Sequence, residues 1–484
     1  MNNKTLISFT VAHEEMHRKL HSEDVESCLS VYYTMADILR GRGMVNAFAG
    51  GALSVIVYIS FLKYLSDRKD ELGIHCSDNF RYDALCMLYP RVISQRDIIQ
   101  YLIDVEEQLG FARGMFYGLT FPEQEREFDE QFQRAMEVGQ RLDFSSEKSR
   151  DAGLEALLRT VERLAESGSK ASPVSYTPSP LSVLMAKLLK IEEGMSLYDP
   201  CAGIGLLLSR LMKSVDITVY AQEKNVQSAI LLEMILIMSG MSRGLVTLGD
   251  SAWSPLTLKL ETKFDRILCD PPYLKPESSY RPFTNEELFG HILYYPEERI
   301  EDPWILVRHI MAELKPDGRA VVVLPMSMVT REGSVGKVRQ RIIEDGYIES
   351  VVELPSGAYP FTGIKTTILV IQKGKPKRDI FFLDLSQGKW DGKKDCEAQY
   401  IDMVLNHTPA EGFAGWASFE EIARNGFQLA AARYVSAPIS AEQFLSDPVK
   451  LHEDARTMEQ EFRKLCDDYE EELAEYNKYL DKKN

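Results

Sequence analysis

Four consecutive residues, Asp270-Pro271-Pro272-Tyr273, close an apolar run that begins at Phe264. The two prolines fix the backbone and carry no N–H, so their carbonyls are free to accept. Asp270 adds a carboxylate acceptor and Tyr273 a flat face. Two acceptors and a stacking partner are what a planar, amino-substituted ring needs. With Pro near ~5% of residues, an Asp/Asn-Pro-Pro-aromatic tetrapeptide should arise by chance in roughly a couple of chains per hundred of this length. The bland alternative is a rigid turn with a buried aspartate.

Three more acidic residues stand upstream, each at the end of an apolar run. Asp199-Pro200-Cys201-Ala202-Gly203-Ile204-Gly205 follows one such run and leads into Leu206–Leu211. Gly203 and Gly205 at a strand-to-helix turn let a ligand approach the backbone beside a helix N-terminus, although a tight turn with no ligand has the same pattern. Leu208 replaces the third glycine of a dinucleotide fingerprint, and no Gly-Lys-Ser/Thr follows, so a ligand without phosphates fits best. Glu223 comes about 20 residues later, where a carboxylate takes both hydroxyls of a ribose; a solvent-facing glutamate is the alternative. Asp250, in Gly249-Asp250-Ser251, suits the exocyclic amine of a nucleoside or, more simply, a turn.

The elements that must position these residues are strands alternating with helices. The strands are expected at Ser196–Tyr198, Ile217–Gln222, Gly244–Leu248, Phe264–Cys269, Arg319–Leu324, Ile348–Leu354 and Thr366–Ile371. Helices at Val226–Met238, Trp304–Leu314 and Val335–Glu344 fall between them, which predicts an α/β fold with a mostly parallel sheet covered on both faces. Residues 1–166 read as a helical N-terminal domain, with apolar periodicity through Val45–Leu65, Ile98–Leu109 and Leu154–Leu164. The small, polar stretch 167–175 serves as a linker. The catalytic sheet is then expected over 167–375, an extension of it over 376–440 and a helical tail over 441–484. In that tail Leu451, Ala455, Met458, Phe462, Leu465 and Tyr469 form a heptad-like, coiled-coil seam. Such a helix packs on its own domain or docks on another chain.

The 484 residues are 45% hydrophobic and 27% charged, which excludes a largely disordered or collagen-like chain. The longest apolar stretch, Ala52 to Leu62, is too short for a bilayer, and the first residues lack the pattern of a signal peptide. Seven cysteines without a Cys-x-x-Cys argue against a disulfide framework and a zinc site, and point to a reducing cytoplasm. The net charge of −17 counts against a basic nucleic-acid binder, although the contacting face rather than the whole molecule decides that.

In ordered motifs spanning about 165 to 435, the sequence resembles adenine-N6 DNA methyltransferases, and most closely the modification subunits of type I restriction systems. The motifs are Tyr176-Thr177-Pro178, the Asp199–Gly205 loop, Tyr220-Ala221-Gln222-Glu223-Lys224-Asn225, Asp250 and the Asp270–Tyr273 tetrapeptide. Glu353-Leu354-Pro355, Phe361-Thr362-Gly363-Ile364 and Gly426-Phe427-Gln428-Leu429 continue them. Upstream, Phe61 to Arg68 resembles the core-facing helix of the same subunits. Type I subunits usually carry Asn and Phe at the ends of the tetrapeptide, where this chain has Asp270 and Tyr273.

The resemblance implies a Rossmann-like sheet that binds S-adenosylmethionine through Ser175, Tyr176, Thr177, Pro178, Asp199, Cys201, Ala202, Gly203, Gly205, Glu223 and Asp250. It implies catalysis by Asp270, Pro271, Pro272 and Tyr273 on an adenine flipped out of double-stranded DNA, with Phe361 on the other side or edge of the base and no metal. Because no basic sequence-reading module is evident, it also implies a separate specificity subunit docked on the C-terminal helix, with a restriction subunit as a further partner and no membrane. Two other functions share the tetrapeptide or the fold: methylation of an RNA base or a glutamine side chain, and a non-catalytic DNA-binding or scaffold subunit.

Overall fold

The computed structural model describes residues 23–40, 51–112, 114–120, 126–166, 176–212, 215–251, 262–271, 304–360, 362–386, 388–435 and Arg456. Contacts group the chain into one unit ending at Val435 and a second from Ser436 to Asn484. The heptad seam of the tail, from Leu451 to Tyr469, lies outside the described residues. Among the described residues, no helix is long and apolar enough to cross a membrane.

Among the described residues, six helices come first: α1 (Glu23–Arg40), α2 (Ala52–Asp67), α3 (Tyr82–Leu88), α4 (Gln95–Leu109), α5 (Arg126–Gly139) and α6 (Glu147–Glu166). The α2 helix is buried on nearly every side, from Ala52 through Phe61 to Leu65, as its apolar composition requires. Its expected beginning at Val45 lies outside the described residues; the described helix starts at Ala52. The α4 helix begins at a reciprocal cap, in which the Ser94 side chain accepts from Asp97 N–H while Asp97 accepts from the Ser94 backbone. It ends at Gly110, whose φ of 74° suits a residue without Cβ.

Among the described residues the sheet has nine strands: β1 (Ser196–Asp199), β2 (Thr218–Glu223), β3 (Gly244–Leu248), β4 (Phe264–Cys269), β5 (Leu314–Pro325), β6 (Ile348–Glu353), β7 (Thr366–Gln372), β8 (Ile380–Asp384) and β9 (Ala414–Ala417). Their order is β3-β2-β1-β4-β5-β7-β6-β8-β9. The first five run parallel. β7 lies antiparallel between β5 and β6, β8 is parallel to β6, and β9 closes the edge antiparallel. Before β1 lies α7 (Ser179–Leu189). The helices α8 (Leu206–Met212) and α9 (Val226–Met238) follow β1 and β2. Next come α10 (Trp304–Glu313), α11 (Met326–Thr330) and α12 (Ser334–Glu344), then α13 (Ala398–Asn406), α14 (Phe419–Arg424) and α15 (Ala432–Val435).

Successive strand side chains point to opposite faces, and here they feed two separate apolar clusters. Leu197, Val321, Val323, Ile368 and Val370 join the cluster that also holds the N-terminal helices and α9. Their neighbours Tyr198, Ala320, Val322, Leu324, Leu369 and Ile371 join the one that holds α10 and α12. The sheet is thus covered on both faces, as the unbroken apolar runs predict. β5 begins at Leu314 rather than Arg319. Leu314 pairs with Phe264 across an irregularity in the register, and α10 accordingly ends at Glu313.

Candidate active site

In a parallel sheet all carboxyl ends share one edge, and here the order of the strands reverses between β1 and β4, where such sheets bind ligands. Asp199 ends β1, Glu223 ends β2, Asp250 lies two residues past β3, and Asp270 directly follows β4. The structure therefore gathers all four acidic residues singled out in the sequence along that edge.

The glycine loop is built largely from its own amides. Cys201 N–H donates to Asp199 Oδ1 at 2.9 Å, Ala202 N–H to the Gln222 carbonyl at 3.1 Å, Gly203 N–H to Glu223 Oε2 at 2.9 Å and Gly205 N–H to the Ala202 carbonyl at 3.0 Å. What the loop offers a ligand is therefore close approach more than free donors. Gly205 has φ +85°, and a Cβ there would meet Leu232 Cδ1 at 2.8 Å, so glycine is required for conformation and space alike.

Glu223 also accepts from Asn225 N–H at 2.8 Å, and the Glu223 carbonyl takes the Gly249 amide at 2.8 Å, which ties the ends of β2 and β3. Burial raises the Glu223 carboxyl above its ordinary value, against the hydrogen bonds from nearby amides. Asp250 remains partly open to solvent, 4.0 Å from Lys224 Nζ. Cys201 Sγ lies 3.9 Å from Ser251 Oγ.

Asp199 is almost fully buried. Its burial pushes the carboxyl up to about 8, with Asp270 and Glu223 adding to the rise and the Cys201 amide opposing it. Asp270 is held by two hydroxyls: Thr177 Oγ1 donates to Oδ2 at 2.6 Å, and Tyr359 Oη donates to Oδ1 at 2.7 Å. Burial raises this carboxyl to about 6, and both hydrogen bonds restrain the rise. Three carboxyls displaced toward neutrality at one sheet edge, Glu223, Asp199 and Asp270, mark a candidate reaction centre.

Thr177, read from the sequence as a cofactor residue, thus has its hydroxyl on Asp270. Pro178 sits just before α7 as its N-cap, and the Tyr176 hydroxyl donates to Glu166 at 2.9 Å. Tyr176, Pro178, Tyr359 and Pro360 line a cleft of about 750 Å³, with Glu166 and Lys393 also on its walls. Ser175, Pro272, Tyr273 and Phe361 lie outside the described residues. Sequence reasoning missed Tyr359. It stands two residues before Phe361 with no spacing signal of its own, and only the fold carries its hydroxyl to Asp270. Among the described residues, no group of three or more His, Cys, Asp or Glu could hold a metal ion.

The donor set fits S-adenosylmethionine. Acidic groups line an edge where an ammonium, a ribose and an adenine amine would each find an acceptor, and a side-chain-free turn at Gly203 and Gly205 permits close approach.

The type I restriction enzyme MpnII methylase subunit of Mycoplasma pneumoniae is 23% identical over 331 residues, 62% of this chain and 60% of that protein. The MjaVIII methylase subunit of Methanocaldococcus jannaschii is 26% identical over 382 residues, 73% of this chain and 63% of that protein. The chain thus spans less than two thirds of the length of these relatives. The crystal structure of a type I restriction-modification methyltransferase subunit from Streptococcus thermophilus superposes with a TM-score of 0.73 at 22% identity. It covers 85% of this chain and 100% of that one, a likeness of fold. The model of the family described as N-6 DNA Methylase matches residues 155–443, more than half of the chain and the whole acidic edge, and the chain belongs to that family.

Proposed function

We propose that the protein transfers a methyl group from S-adenosylmethionine to N6 of an adenine in double-stranded DNA, as the modification subunit of a type I-like restriction-modification or defence complex. The observation that carries this reading is the Asp270 carboxylate, fixed by two hydroxyls at the strand end beside Asp199. Family membership and the printed names of the relatives support it.

In this reading the Cys201–Gly205 backbone, with Ala202 and Gly203, holds the methionine part of the donor, Glu223 its ribose and Asp250 its adenine. Ser175 to Pro178 close the near side. The donor supplies an electrophilic methyl on its sulfonium. The target base must leave the duplex to reach this edge. Asp270 and the Pro271 carbonyl accept the two N–H bonds of its exocyclic amine, which draws the nitrogen lone pair out of ring conjugation and aims it at the methyl. Pro272 stiffens the corner, Tyr273 stacks on the base, and Phe361 meets its other side or edge. Placement and fixed acceptors provide the rate enhancement.

A separate specificity subunit docks on the helix of 441–484, and a restriction subunit joins as a further partner. The domains are those read from the sequence: 1–166, 167–375, 376–440 and 441–484. The protein works in the cytoplasm, and no membrane takes part.

The test is Asp270→Ala in the assembly purified through a tag on this chain. Binding of S-adenosylmethionine by calorimetry is expected to persist within a few-fold, and methyl transfer to DNA to fall by at least about 100-fold. Unchanged turnover would remove Asp270 from catalysis. Transfer to RNA or protein in preference to DNA would replace the substrate.

A further inference from the structure

We propose that Tyr359 and Thr177 are positioning residues for methyl transfer: their hydroxyls clamp the two oxygens of Asp270 and set the carboxylate plane that receives the substrate amine. This inference rests on the reaction proposed above and deepens it by naming residues that act through Asp270.

The clamp is built from three separate elements. Asp270 follows β4, Thr177 precedes α7, and Tyr359 follows β6. Thr177 binds Oδ2 and Tyr359 binds Oδ1, at 2.6 and 2.7 Å, in the range of hydrogen bonds to an ionised acceptor. Because the donors hold different oxygens, rotation about the Cβ–Cγ bond breaks both bonds at once. A carboxylate has about four lone-pair directions, so each oxygen keeps one for an incoming N–H. Tyr359 and Thr177 are themselves nearly buried, at 4% and 7% exposure, so neither hydroxyl is free to swing into bulk water. The backbone behind Tyr359 is braced as well: Gly392 rests on Ala358, where a Cβ would lie 2.7 Å from the Ala358 Cα.

The surroundings make the hydroxyls necessary. Among the described residues, Asp199 at the end of β1 and the Cys269 thiol at the end of β4 interact electrostatically with Asp270, and neither supplies a positive charge. Burial favours the neutral acid, which would turn one acceptor oxygen into a donor. The two hydroxyls oppose that, and the carboxyl stays at about 6, ionised at neutral pH. Removing one of them raises it further and frees the rotation.

The experiment uses full-length protein and the variants Tyr359→Phe and Thr177→Val, each of which deletes a hydroxyl while keeping most of the side chain. Carbon-13 NMR of labelled aspartate in the donor-free protein reads the Asp270 titration. It is expected to move up by about one pH unit in each single variant and further in the double variant. In the tagged assembly, kcat for DNA methylation is expected to drop by at least about tenfold at pH 7.5, and its acid limb to shift upward with the titration. In Tyr359→Phe the dissociation constant for S-adenosylmethionine and the thermal midpoint are expected to stay near wild type. An unmoved Asp270 titration in Tyr359→Phe, or an unmoved acid limb with wild-type kcat, overturns the clamp. If the wild-type assembly transfers no methyl to DNA, the proposed reaction fails instead, and the titration still judges the clamp.

Discussion

Asp199 and Asp270 lie at the ends of adjacent strands, and Asp270 raises the cost of charging Asp199. Asp270 carries two hydroxyl donors, whereas Asp199 has one backbone amide, and the two carboxyls separate accordingly to about 6 and about 8. At pH 7 Asp270 is therefore mostly ionised and Asp199 mostly protonated. In the proposed reading the methionine part of the donor sits at the glycine loop, where its ammonium favours the charged form of Asp199. Binding of S-adenosylmethionine at pH 7 is accordingly expected to release up to about one proton per site, since a binding partner that lowers a pKa expels the proton. Calorimetry in buffers of different ionisation enthalpy measures this directly, and Asp199→Asn is expected to abolish the release. Binding with no net proton change would remove Asp199 from contact with the ammonium.

At the scale of elements, Arg319 on β5 ties three neighbours together. It is 2% exposed. Its Nε donates to the Leu188 carbonyl in α7 at 2.7 Å and Nη1 to Gln372 Oε1 on β7 at 3.2 Å, while Nη2 lies 2.6 Å from Glu349 Oε2 on β6. Burial alone would raise the Glu349 carboxyl, but His407 and Arg319 overcome it and hold the group at about 2. The depressed value means that this stabilisation is present above the unfolded-state value of about 4.3 and is lost as pH falls from there toward 2. Replacing Arg319 with Met leaves Glu349 without its nearest cation, which is expected to cost about 3–5 kcal/mol. Denaturant unfolding at pH 7 measures that cost, and repeating it at pH 4 and 3 reads the acid dependence. A loss under ~1 kcal/mol would show the pair to be dispensable.

At the scale of the whole molecule, the N-terminal helices share one continuous apolar cluster with a face of the sheet. The α9 helix is the contact point. It is buried from Ser228 to Met238, with no polar face to present to water. The loop after α4 completes the seam: Val246 N–H donates to the Phe111 carbonyl at 2.9 Å, and Gln227 Nε2 to the Gly118 carbonyl at 3.0 Å. Glu106 holds the same loop by accepting the amides of Gly114, Met115 and Phe116. A chain beginning at residue 167 would expose that apolar surface. It is expected to be insoluble or to melt without a cooperative transition, as calorimetry and dye binding would register. A cooperative melt of the shortened chain would show that the sheet stands alone.

The strands, the crossover helices and the acidic strand ends were legible in the sequence, because burial on both faces demands unbroken apolar runs and glycine and proline mark the turns between them. The expected Phe264–Cys269 and Gly244–Leu248 coincide with β4 and β3. The beginning of β5 at Leu314 was hidden, since its pairing with Phe264 depends on an irregular register that local pattern does not encode. Sequence also grouped Thr177 with the cofactor segment and passed over Tyr359. Their meeting at Asp270 spans 93 and 89 residues of chain, so only the folded sheet and the elements packed around it bring those hydroxyls within hydrogen-bond reach. Residue types and spacing determined which groups could accept a proton or a hydrogen bond. Tertiary structure decided which carboxyl is clamped and which is left to titrate, because burial and donor geometry are properties of the fold alone.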